Sequence, residues 1–107
     1  MVTITSPTSS STYQTDTQAL TVRGSASDDG TVSSVAWAQT GAATDSGSCS
    51  DTTSWSCTGI TLGSGSNVIT VTATDDDSDT GTDVLTVTYP IPTITSLQGV
   101  AGDFKYN

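Results

Sequence analysis

Apolar and polar residues alternate with period two in short bursts along the chain. Over Ala19–Ser27, Leu20, Val22, Gly24 and Ala26 share one side, and Thr21, Arg23, Ser25 and Ser27 share the other. A strand with one face on a core requires this pattern. "DDG" at Asp28–Gly30 then turns the chain, and a strand over Thr31–Thr40 points Val35 and Trp37 inward. Gly41–Ser48 reads as a loop leading into a hairpin between Cys49 and Cys57, followed by a short apolar pair, Ile60 and Leu62. After "GSGSN", Val68–Thr74 alternates with Ile69, Val71 and Ala73 on one side. The acidic turn "DDDSDTG" precedes a last strand, Thr82–Tyr89, that points Leu85, Val87 and Tyr89 inward. With Val2 and Ile4 at the front, the pattern predicts an all-β fold, an antiparallel β-sandwich of about seven strands.

Composition supports this class. Ser and Thr account for 40 of 107 residues, Gly adds 10, and there is no Glu, one Lys and one Arg, a mix that disfavours helix and suits strands joined by tight turns. The apolar residues fall in periodic clusters, so the polar composition does not read as disorder.

The tetrapeptide Thr3-Ile4-Thr5-Ser6 recurs as Thr93-Ile94-Thr95-Ser96, and Pro90 and Pro92 close the strand before it. Proline cannot donate to a ladder, so the module is expected to span 1–89. Residues 90–107 read as a linker and the first strand of a following repeat. The alternative is a detached strand that pairs with the sheet edge of another copy.

Charge narrows the partners. The formal net charge is -9, all 11 acidic residues are Asp, and only Arg23 and Lys105 oppose them, so nothing is present to neutralise phosphates. Nucleic acid and membrane insertion are not expected, and no apolar run reaches the roughly 18 residues of a membrane span. No signal peptide is visible, and Met1 is expected to precede a mature segment. Cys49 and Cys57 flank "SDTTSWS". A local disulfide suits this stretch better than a metal, since two thiols without His make half a zinc site. A disulfide with abundant Ser and Thr points to a secreted or cell-surface location.

The segments "LTVRGSASDDGTVSSVAWA" and "SGSNVITVTATDDDSDTGTDVLTVTY" resemble the bacterial immunoglobulin-like modules, close to fibronectin type III in architecture, over about residues 2–89. Such modules occur in tandem in secreted surface proteins and beside secreted carbohydrate-active enzymes. The resemblance rests on Gly24, Ala26, Asp28, Val35, Trp37 and "NVITVTATD" with Asp75. It implies a spacer, an adhesive unit or a helper to adjacent domains of the same polypeptide. This chain departs from the family where a Gly-Asn turn usually follows Asp75; "DDSD" stands there instead.

The candidate chemistry is acidic. In such a sandwich the turn holding Asp28 and Asp29 lies at the same end as the one holding Asp75, Asp76, Asp77 and Asp79, so six carboxylates share one pole. Calcium takes six to eight oxygen ligands, and Asp75, Asp77 and Asp79 have the alternate spacing of calcium loops. Asp28, Asp29, Asp75, Asp77 and Asp79 are therefore the candidate calcium ligands, against the reading of a solvated acidic turn. It is not an EF-hand, because Thr80 stands at the place of the loop glycine. Trp37 is expected in the core; Trp55 either covers an edge of the core or stacks on a sugar ring of a polysaccharide. Catalysis is not expected: there is no His, Lys105 lies in the tail, and the Asp residues sit in polar turns.

Overall fold

A computed structural model of the chain describes residues 1–28 and 30–91. Eight strands form: β1 (Val2–Ser6), β2 (Thr12–Gln14), β3 (Ala19–Ala26), β4 (Val32–Gly41), β5 (Asp45–Ser48), β6 (Ser54–Thr61), β7 (Gly65–Asp75) and β8 (Thr80–Tyr89). They make two sheets, one ordered β1-β3-β6 and the other β2-β8-β7-β4-β5. The inward residues of each alternation meet between them. Ile4, Val22, Trp55, Cys57 and Ile60 come from the smaller sheet, and Val35, Trp37, Ile69, Val71, Leu85 and Val87 from the larger. Each large aliphatic side chain buried there contributes about 1.5–3 kcal/mol.

The sandwich is the expected one, with four local differences. First, β2 is an additional strand, and it pairs with β8 in parallel, Tyr13 opposite Val87; every other pairing is antiparallel. Second, Gly41–Ser48, expected as a loop, contains the edge strand β5, whose Gly47 lies opposite Trp37. A Cβ on Gly47 would stand 2.8 Å from the Trp37 indole nitrogen, so only glycine lets β5 close over that ring. Third, Ile60 belongs to the same strand as Trp55 and Cys57. A bulge separates them: Leu20 pairs with Ile60 and Val22 with Cys57, so β6 has one residue more than β3 across that interval. Gly59 takes a φ of 80° there, which shifts the buried positions from odd to even numbers.

The fourth difference concerns Trp55, which is 1% exposed. Its ring lies against β3, within 2.5 Å of where a Cβ on Gly24 would be. The sugar-stacking reading of Trp55 is therefore corrected, because a ring sealed between two sheets offers no face to a ligand.

Cys49 and Cys57 form a disulfide with a Cα–Cα distance of 4.2 Å. Ser50 and Ser56 exchange both backbone hydrogen bonds, at 2.7 and 3.0 Å, which leaves Cys49 and Cys57 as the adjacent close pair of an antiparallel ladder. Cys49 also donates its N–H to Val35 O of β4. The bridge thus ties β6, at the edge of one sheet, to the edge of the other. Gln39 makes a second tie, donating from β4 to Thr61 O of β6 at 3.0 Å.

Candidate metal centre

The chain begins and leaves the sandwich at opposite poles. Ser27 N donates to Met1 O at 2.8 Å, and the amino group of Met1 donates back to Ser27 O. This fixes the start of β1 beside the end of β3. β8 runs away from this pole and ends where Tyr89 pairs with Gly65.

The acidic turns gather at the first pole. After β7, Ser78 N donates to Asp75 O at 3.1 Å and Asp75 N to Asp79 O at 2.9 Å, with Ser78 at a φ of 68°. This is a tight hairpin loop whose last residue is left-handed, the conformation glycine adopts without cost. Asp75 braces the loop from within, its Oδ1 accepting the N–H of Asp77 at 2.9 Å and of Asp79 at 2.8 Å. Opposite, Asp28 Oδ2 accepts the N–H of Gly30 at 3.1 Å. The Asp76 carboxylate leans over Gly30, where a Cβ would come within 2.6 Å of Asp76 Oδ1.

Two sets of carboxylates result, Asp28 with Asp75 and Asp76, and Asp75 with Asp77 and Asp79. Within each set one oxygen per residue lies within 4.8 Å of the others. Groups so spaced can hold a metal ion by oxygen ligation. A cavity of about 80 Å³ adjoins them, lined by Met1, Asp28, Val32, Asp75, Asp79 and Gly81 among others. Asp75 belongs to both sets and is half-buried; its carboxyl pKa is raised by partial burial, opposed by the N–H groups of Asp79 and Asp77, and raised further by the Asp28 carboxyl. The pole brings together Asp28, Asp75, Asp77 and Asp79, and the structure adds Asp76 to the candidate ligands. Asp29 lies outside the described residues. The signal for Asp76 is its contiguity with Asp75, which strict alternation of ligands passes over.

A polar cluster at the other pole escapes the sequence reading. Asn67 is fully buried, and its Nδ2 donates to Gly63 O, Gly65 O and Val87 O, while its Oδ1 accepts from Gly63 N and Gln39 Nε2 at 2.9 and 3.0 Å. It holds the β6–β7 turn closed over the core. The Asn at the end of "GSGSN" is the available cue.

Two sheets packed through alternating side chains, with strands crossing from one sheet to the other, define an immunoglobulin-like, fibronectin III-like module. The chain belongs to the bacterial Ig domain family, which it matches over residues 1–71. Among solved structures it is similar to the fibronectin(III)-like modules of Clostridium thermocellum CbhA, at 24% identity and a TM-score of 0.62, covering 84% of this chain and 97% of that one. It is also similar in fold to CopC from Methylosinus trichosporium OB3b, at 11% identity and a TM-score of 0.51, covering 88% and 99%. No curated protein matches the chain. Ig-like and fibronectin III-like modules are generally non-catalytic. A disulfide suits an extracellular setting, and among the described residues no helix is long and apolar enough to cross a membrane.

Proposed function

We propose that the chain is a non-catalytic spacer and interaction module of a secreted or cell-surface bacterial protein, positioning the domains on either side of it. One observation carries this reading: the start of β1 and the end of β8 lie at opposite poles, as in modules threaded end to end. The ten residues of β8 set these poles about 30 Å apart. Small-angle scattering on one copy and on two copies joined in tandem tests it. The maximum dimension should grow by about 30 Å or more per copy; a two-copy chain no longer than one copy overturns the reading.

A following repeat beginning near Thr93 fits the same geometry. Met1 and Ser27 exchange bonds, so Val2, the next residue along β1, turns its N–H away from β3. Counted from the recurring Thr-Ile-Thr-Ser, Pro92 corresponds to Val2 in sequence, and in such a repeat it would cost the ladder no bond. The cation proposed for the acidic pole is calcium, held by Asp28, Asp75, Asp76, Asp77 and Asp79 beside the start of β1, where it would stiffen the joint to a preceding domain. Calcium at about 1 mM, the range of extracellular modules, should raise the unfolding midpoint of the protein and leave that of the Asp75→Asn variant unmoved. An unchanged midpoint in the parent chain removes calcium from the proposal without touching the spacer reading.

A further inference from the structure

Among the described residues, the outward face of the five-stranded sheet carries no formal charge, in a chain whose net charge is -9. Its central rows follow from the register. Ala36 lies beside Thr72 and Thr72 beside Thr82; Ala38 lies beside Thr70 and Thr70 beside Val84; Thr86 lies between Val68 and Thr12. Ser46 and Ser48 of β5 extend these rows at one edge. The charges of the described residues lie off it: the acidic turns sit at one pole, Asp83 turns inward to Ile4 N, Asp45 at the β5 edge stands opposite the buried Gln39, on the inward side, Asp16 and Asp51 lie outside the strands, and Arg23 is on the other sheet. Depletion of charge is the compositional mark of an interface centre, and threonine presents a methyl much as valine does.

We propose that this face docks against the same face of a second copy of the chain. A two-fold axis across the strands would set the two acidic poles at opposite ends, about 27 Å or more apart and several screening lengths at physiological salt. β7 and β8 present five outward positions each, β4 four, and the short edge strands β2 and β5 two each; at about 33 Å² per position the pair would bury on the order of 1,000 Å², near the lower bound for a specific interface. A like-charged copy meets least repulsion here. A basic partner would find no charge on this face to pair with, and a sugar would find no aromatic platform, since Tyr13 packs against the core.

Sedimentation equilibrium of the full chain tests the proposal. The mass should rise with concentration toward that of a dimer, and further at about 0.5 M salt than at about 0.02 M, because salt screens repulsion between the poles. Val84→Asp, at a position 42% exposed, and Thr72→Asp should each hold the protein monomeric, while Thr21→Asp on the other sheet should not. Near-ultraviolet circular dichroism establishes that each variant is folded, and either face variant suffices. A parent chain that stays monomeric at every concentration and salt overturns the proposal, as does a Thr21→Asp variant that dissociates equally. Retention of a monomeric parent on insoluble neutral polysaccharide, lost in Val84→Asp, also overturns it and assigns the face to sugar.

Discussion

Ile4 donates its backbone N–H to the side chain of Asp83 at 2.8 Å, across 79 residues of sequence. The two belong to different sheets, so a carboxylate from β8 occupies the open side of β1 where a ninth strand would otherwise pair. Unpaired edges invite association with other chains, and Asp83 blunts this one with a negative charge. Asp83→Ala should cost about 1–2 kcal/mol in denaturant unfolding, by leaving a part-buried N–H without its acceptor. Asp83→Asn, which keeps an acceptor oxygen, should cost less than half as much.

Asn67→Ala is expected to be the more damaging change. It removes the acceptor for Gly63 N and Gln39 Nε2 together, and three carbonyls lose their donor. A network of this kind, buried at the rim of the core, should lose about 3 kcal/mol or more. A stability within about 1 kcal/mol of the parent would show that the β6–β7 turn is held by its backbone alone.

Asp75 sets a pH dependence. Partial burial and the neighbouring Asp28 raise its folded pKa above the ordinary 3.8, so the folded state holds that proton more tightly than the unfolded one. Its contribution to stability is full below about pH 3.8 and is lost as pH rises through the raised value. Asp75→Asn keeps the oxygen that accepts from Asp77 and Asp79 but carries no charge. Thermal unfolding between about pH 3 and pH 7 should show the Asp75→Asn variant gaining on the parent as pH rises, with the gap closing in acid. A gap independent of pH would contradict this account.

Ser78 holds a φ of 68° in the β7–β8 turn. A left-handed conformation costs an ordinary residue roughly 1 kcal/mol that glycine is spared, less the entropy glycine loses on folding. Ser78→Gly should therefore raise stability by about 0.5 kcal/mol, readable as a higher denaturant midpoint at unchanged slope.

The alternations of β1, β3, β4, β7 and β8 were legible because each has one buried side, and burial fixes register. β7 and β8 each begin two or three residues before their apolar runs, since backbone pairing continues past the last side chain that the core needs. β5 was hidden because Gly47 contributes no side chain; it is a strand only because Trp37 lies opposite. β2 offers a single inward residue, Tyr13, too few for a period to show. β6 was divided because a bulge at Gly59 changes the parity of its buried positions, and a period-two reading ends where parity does. At the acidic pole, the shared end of the two turns was readable from topology. The bracing role of Asp75 was not, because it depends on which oxygen meets which N–H within one turn.

The parallel pairing of β2 with β8 has a mechanical consequence. Tension applied through the two poles draws β2 back toward the first pole and β8 toward the second. Strands lying side by side and pointing the same way then slide past each other, and Thr86 N to Ser11 O and Thr15 N to Thr88 O are strained together instead of one after another. A short ladder loaded in shear resists far better than one peeled open from its end, which makes three residues of β2 the clasp that keeps this module shut under a pull.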